Sequence, residues 1–285
     1  MEDRGYAMLA VMLWSTVASA FKISLRYLTP IQLLTYSSFF SMICLLAIIF
    51  AQGKIKMLKP SINELKASLL MGFLNPFLYY IVLFTAYDML PAQLAQPLNY
   101  TWPLMLVLFS SILLKHRFST RNIIALLISF CGVIIISFKD SFQFHFNLGI
   151  FLAISSSIIW ALFWILNVRD KRDASVKLFM NFLFGFLFLL PLATFYGFSL
   201  NPLGAAGAIY VGLFEMSLTF FIWFKALEKS KNYAKTSNFI YLSPFISLIF
   251  IHFVVGERIY ISTIVGLLLI VLGIIMQPKQ FSINA

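Results

Sequence analysis

The sequence predicts an all-α integral membrane protein whose ten transmembrane helices form two inverted five-helix repeats. Three observations carry this expectation. The 285 residues are 61% hydrophobic and only 11% charged, with a mean hydropathy of +0.93, well outside the range of a soluble domain. Basic residues gather in alternate connecting segments, the bias that orients membrane proteins. The chain also resembles itself at a shift of about 140 residues, roughly half its length.

A membrane-spanning helix needs about 20 apolar residues. Taken in order, the apolar segments run from Gly5 to Tyr27, Ile31 to Ala51, Leu65 to Tyr87, Ala92 to Leu114 and Thr120 to Phe138. They continue from Leu148 to Val168, Val176 to Tyr196, Gly204 to Ala226, Asn232 to Val255 and Ile259 to Met276. The opening MEDRGYAMLAVMLWS lacks the charged region and cleavage site of a signal peptide, so the first helix is expected to be retained. With the N-terminus in the cytoplasm, the inside segments carry Arg4, Lys54, Lys56, Lys59, Lys66, Lys115, Arg117, Arg121, Arg169, Lys171, Arg172, Lys177, Lys225, Lys229, Lys231, Lys235 and Lys279. Only Lys22, Arg26, Lys139 and Arg258 fall outside. Both termini are therefore expected in the cytoplasm, with an even helix count. The same bias accounts for the net charge of +11 without nucleic acid as a partner; the lipid bilayer takes that place. Cys44 and Cys131 lie inside apolar runs and read as packing thiols, not a disulfide framework.

The internal shift superposes Gly72 on Gly212, Phe84 on Phe224, Ala86 on Ala226, Tyr100 on Tyr241, Pro103 on Pro244, Arg117 on Arg258 and Gly132 on Gly273. Residues 1–140 and 141–285 thus form two units. Each unit holds an odd number of helices, so the second enters the membrane from the opposite side. Inverted repeats of this kind build secondary transporters, with the binding site near the midplane between the repeats.

The residues that carry a family resemblance are distributed along the chain. They are Trp14 in LAVMLWSTVASAFKISLRYLTP, the Tyr-Leu-Ser-Pro of Tyr241 to Pro244, the Gly256-Glu257-Arg258 after it, and the terminal GLLLIVLGII. On these the chain resembles the drug/metabolite transporter superfamily, specifically its EamA group, with two EamA-type repeats over nearly the whole length. The first repeat departs from the pattern: it reads Lys115-His116-Arg117 where the group has a glutamate. The resemblance implies export of amino acids and other metabolites, nucleotide-sugar exchange or cofactor movement. It also implies a central cavity built chiefly by helices one, three, four, six, eight and nine, and residence in a bacterial inner membrane.

Glu215 is the residue around which the functional reading turns. An ionisable group in the hydrocarbon region is penalised by roughly 2.5–3.5 kcal/mol on insertion scales, so it faces a cavity or a partner. The alternative is a carboxyl that only ties helices together. The repeat places Asn75 opposite Glu215, and Gly72, Asn75 and Tyr79 share the spacing of Gly212, Glu215 and Thr219, which puts each set on one helix face. The glycines read equally as packing notches. Pro76, Pro97, Pro103 and Pro244 are expected to bend helices three, four and nine. Trp160, Trp164 and Asn167 form one stripe and Ser15, Ser19 and Lys22 another, beside Trp14, while Tyr100 and Tyr241 add hydroxyls near the midplane. Aromatic planes recognise flat or cationic ligands. Lys22 sits near the end of the first helix, where snorkelling to the interface is the favoured expectation.

These residues predict a carrier for a small polar metabolite such as an amino acid, working by alternating access, with efflux as the expected direction. Glu215 is also the candidate proton-coupling site. An uptake or exchange carrier for a nucleotide-like or cofactor substrate is the nearest rival, but phosphate would meet a midplane glutamate and few cations. A membrane enzyme or a non-transporting anchor is the rival of another class. The sequence lacks GxxxxGK, HExxH and CxxC, and His116, His145 and His252 are scattered, so no cofactor, metal or catalytic site is predicted. The small-residue patterns SFCGV and VLGII of helices five and ten are expected either to brace the bundle or to pack a homodimer.

Overall fold

The computed structural model describes residues 2–113, 120–137, 148–167, 170–199, 201–230, 236 and 238–276. Lys115, His116 and Arg117, the loop residues Lys139 and His145, the start of the ninth predicted helix at Asn232, and Lys279 lie outside them. The described residues contain helices and no strands. The helices are α1 (Glu2–Ser24), α2 (Pro30–Ala51), α3 (Ile62–Met89), α4 (Ala92–Asn99 and Trp102–Leu113) and α5 (Thr120–Ser137), then α6 (Leu148–Asn167), α7 (Ala174–Tyr196), α8 (Pro202–Glu228), α9 (Asn238–Val255) and α10 (Ile261–Met276).

Local signals set the ends. Thr29 and Ser61 each close a capping box, with Gln32 and Glu64 respectively, and Pro30 occupies the first turn of α2. Asp173 and Asn201 cap α7 and α8 with side-chain oxygens that accept from the first free N–H groups. Among the described residues, eight helices are long and apolar enough to cross a membrane, and α10 is a shorter apolar helix. Exposed Phe50, Leu127, Phe130, Phe253 and Ile261 give the exterior an apolar surface suited to lipid and not to water.

The packing has the inverted two-repeat pattern. Pairing α1 with α6, α2 with α7, α3 with α8, α4 with α9 and α5 with α10 converts one set of helix contacts into the other: α3 lies on α6 as α8 lies on α1, α4 lies on α6 as α9 lies on α1, and α3 meets α7 as α8 meets α2. Glycines set the close approaches. A Cβ on Gly72 would stand 2.5 Å from the Asn181 carbonyl of α7, and one on Gly212 would stand 2.5 Å from the Ser37 carbonyl of α2. The two central glycines are therefore packing notches. The small faces of α5 and α10 are used inside the chain as well: Gly132 meets the Gly266 carbonyl, Gly273 meets that of Ala125, and Ser129 Oγ donates to Ile270 O at 3.2 Å. They brace the bundle.

Helices α3, α4, α8 and α9 are interrupted. Prolines account for most of this, as the sequence leads one to expect. Asn75 has an extended backbone (φ −148°, ψ 118°) before a cis bond to Pro76, inside a π turn over Phe73–Leu78. The break in α8 between Phe214 and Leu218 contains no proline and is not anticipated. Ser217 lies at φ −138°, ψ −76°, and hydroxyls receive the freed carbonyls: Ser217 Oγ donates to Gly212 O (2.7 Å) and Leu213 O (3.1 Å), and Thr219 Oγ1 donates to Phe214 O. Backbone polar groups released at membrane depth need such internal partners.

Candidate functional site

Glu215 stands at the break of α8, where Phe214 ends one helical piece. The break alters what the spacing argument implies. Gly212 faces α2, but the helix does not continue regularly past Phe214, so the carboxyl of Glu215 is free to turn elsewhere. Its Oε1 accepts a hydrogen bond from Tyr80 OH of α3 at 3.0 Å, joining one repeat to the other. Glu215 keeps partial solvent exposure while the Tyr80 hydroxyl is 0% exposed together with its ring. Among the described residues, none of the ion pairs involves Glu215. A carboxyl inside the bundle thus has a neutral donor and, among the described residues, no cation paired with it.

Aromatic rings enclose it. Tyr79, Tyr80, Tyr87 and Tyr100 all have phenol groups within electrostatic reach of Glu215. Tyr79 stacks on Trp160 of α6 with centroids 4.5 Å apart, and Trp160 in turn meets Phe220 of α8 at 5.9 Å. Tyr79 OH lies 3.4 Å from Asn99 Oδ1, and Asn99 Nδ2 donates to Ser156 Oγ at 2.8 Å. Tyr100 is hydrogen-bonded to Ser243 of α9. The group therefore draws on α3, α4, α6, α8 and α9.

The sequence candidates separate under this geometry. Tyr79, Tyr100, Trp160 and Glu215 come together, and Trp14 joins them through Phe220 at 5.4 Å. Trp164 sits edge-on to Trp160 at 5.9 Å, with its indole N–H lacking an acceptor among the described residues. Asn75, Ser19 and Asn167 are buried, and each holds a polar atom with no partner there. Ser15 Oγ donates to Val11 O (2.6 Å) and Ser243 O (3.2 Å), and Thr219 is fully buried on Phe214 O; both hydroxyls serve backbone. Tyr241 is half-buried against the core. Lys22 departs from expectation. Instead of snorkelling, its Nζ turns inward to Tyr87 O (2.7 Å) and Leu90 O (2.8 Å), because the exposed carbonyls at the end of α3 offer it acceptors. Sequence reasoning missed Tyr80, Tyr87 and Asn99. Tyr80 was hidden because a face assigned from Tyr79 in an unbroken helix excludes its neighbour.

A hollow of about 340 Å³ lies at one end of the bundle, lined by Lys22, Leu90, Gln93, Glu257, Arg258 and Tyr260 among others, and not around Glu215. The opposite end carries the Lys54–Asp173 ion pair (2.6 Å) and Arg172, which holds Asp170 (2.6 Å) and Ser68 Oγ (2.8 Å).

Comparison with known proteins agrees with this architecture. The model of the EamA-like transporter family matches residues 5–138 and again 147–277. Over 281 residues the chain is 25% identical to an uncharacterized transporter of Archaeoglobus fulgidus, covering 95% of this chain and 96% of that one. It is 22% identical over 286 residues to the uncharacterized transporter YoaV of Bacillus subtilis, covering 95% and 94%. A solved structure titled only as the crystal structure of a protein superposes with a TM-score of 0.70 at 18% identity, over 96% of this chain and 95% of that one, which speaks to the fold alone. With both repeats matched and the inverted packing in place, this multi-pass membrane protein belongs to the EamA-like transporter family.

Proposed function

We propose that this chain is a secondary transporter that moves a small polar metabolite, such as an amino acid or a related compound, out of the cell by alternating access. The units 1–140 and 141–285 rock about a central site. Glu215 is the central polar contact, meeting either a cationic group of the substrate or a coupling proton. The observation that carries this reading is the Glu215 carboxyl inside the bundle, held by Tyr80 of the other repeat and without an ion-pair partner among the described residues. A desolvated carboxyl so placed attracts positive charge, and the aromatic wall of Tyr79, Trp160 and Phe220 suits the apolar body of a ligand. Trp14, Ser15, Ser19, Asn75, Tyr100, Trp164, Asn167, Thr219 and Tyr241 complete the proposed cavity and its support. The positive-inside bias orients both termini and the Lys54 end toward the cytoplasm of a bacterial inner membrane.

The test is counterflow in proteoliposomes at two pH values, with labelled amino acids, polyamines, nucleosides and nucleotide sugars. Wild-type vesicles are expected to accumulate at least one amine-bearing probe, and Glu215→Gln is expected to abolish that accumulation or its pH dependence. Accumulation and pH dependence both unchanged in Glu215→Gln would remove Glu215 from the mechanism. Accumulation of nucleotide sugars alone would favour the exchange carrier.

A further inference from the structure

We infer that Glu257 is a positioning residue for transport, clamping the junction of α3 and α4 so that the way inward from the hollow at the Lys22 end of the bundle is held shut. The argument starts at Gly256, whose φ of +82° ends α9 in a conformation that suits glycine. That turn carries the next residue back onto the first repeat. Glu257 Oε1 accepts from Ala92 N at 2.8 Å and Oε2 accepts from Gln93 N at 3.1 Å. These are the opening N–H groups of α4, which have no partner within the helix, and the residue before them is Pro91, which provides no side-chain cap. A carboxylate from the second repeat thus does the work that a capping residue of the first repeat would do.

The contact is reciprocated. Gln93 Nε2 donates to Arg258 O at 2.6 Å, and Gln93 Oε1 accepts from Tyr260 N at 2.9 Å and Thr263 Oγ1 at 3.2 Å. Lys22 grips the other side of the same turn through Tyr87 O and Leu90 O. Anion at a helix start and cation at a helix end both match the backbone dipoles. Arg26 adds a bond to Val255 O at 3.1 Å. From Ala92 the helical piece runs, buried throughout, to Asn99, a rise of about 12 Å that ends beside Tyr100 and the Glu215 group. The clamp is therefore mechanically continuous with the site. The repeat-related residue in sequence is His116, so this carboxylate has no copy in the first half.

The inference rests on the alternating-access reading, and the experiment separates the two. In a Cys44→Ala/Cys131→Ala background, Ser19→Cys serves as reporter: Ser19 is buried with an unpartnered hydroxyl and stands three residues from Lys22, on its helix face. Proteoliposomes are exposed to a membrane-impermeant methanethiosulfonate ammonium reagent on each side in turn. Glu257→Gln, and independently Gln93→Met should the first variant not fold, are expected to raise labelling from the Lys22 side by at least about tenfold, the loss expected for a charge-assisted bond, with no rise from the other side. Unchanged labelling in both variants, or an equal rise from both sides as general loosening gives, overturns the clamp. Counterflow of the probe panel in wild-type vesicles makes the failures distinguishable. A one-sided labelling shift without counterflow in wild type leaves the clamp standing and sinks the transport reading. Counterflow without a shift does the reverse.

Discussion

Replacing Tyr80 with phenylalanine isolates the bond that ties the two repeats together at Glu215. The ring stays in place against Tyr79 (4.7 Å) and Phe84 (5.3 Å), so little packing changes and one hydroxyl is lost from a fully buried position. At 3.0 Å the lost bond contributes about 1.5–3 kcal/mol where Glu215 is ionised and about 0.5–1.5 kcal/mol where it is neutral. The assay is reversible unfolding in mixed micelles for wild type, Tyr80→Phe, Glu215→Leu and the double variant, because the coupling energy removes what each substitution does alone. A coupling of at least about 1 kcal/mol is expected. Independent, additive losses would mean that hydroxyl and carboxyl do not share the bond, and the inward placement of Glu215 argued here would fall. The measurement needs no substrate, so it stands apart from the transport assay.

Three further outcomes follow from the packing. Gly72→Ala and Gly212→Ala each set a methyl 2.5 Å from a carbonyl oxygen of the facing helix, so each should destabilise the protein by about 1–3 kcal/mol, seen as a lower unfolding midpoint in the same micelles; a neutral effect would disprove the notches. Ser217→Ala leaves Gly212 O and Leu213 O without their hydroxyl donor and should cost about 1–3 kcal/mol, whereas Ser217→Thr should retain most of the stability. Asp173→Ala removes the cap of α7 and should cost about 1 kcal/mol. Burial pushes the Asp173 carboxyl up, but hydrogen bonds from Lys54 and Ser175 outweigh it and hold the group below its ordinary value. The unfolded chain then takes up the proton first, so this stabilisation is present above about pH 4 and is lost as pH falls through the lower folded value. Melting midpoints between about pH 5 and 3 should drop less in Asp173→Asn than in wild type.

What could be read from sequence was whatever depends on length, hydropathy and repetition. The ten spans and their inverted arrangement follow from such patterns, because a bilayer admits few other solutions. The interruptions of α3 at Pro76, of α4 just before Pro103 and of α9 just before Pro244 follow from missing N–H groups. Other features depend on partners distant in sequence and have no local signature. Ser217 and Thr219 read as ordinary membrane hydroxyls until the carbonyls they receive are known to be free. Lys22 has the stem and position of a snorkelling lysine, and only the end of α3 makes an inward turn favourable. Tyr80 stands next to Tyr79, on the other face of a helix assumed to be continuous.

The same reasoning explains why the two halves are chemically unequal although their packing is matched. Asn75 and Glu215 occupy repeat-related breaks, and each break must have its backbone groups met from inside the bundle. In α8 the hydroxyls of Ser217 and Thr219 do this, so the Glu215 side chain is not needed to cap its own helix and is left to meet Tyr80. In α3 the corresponding side chain is an amide, buried to 1% exposure with its oxygen unpartnered among the described residues. An amide there carries no charge to exchange. The repeat symmetry therefore supplies two matched breaks and, at them, one ionisable group, which α8 carries and Tyr80 of α3 holds by its hydroxyl.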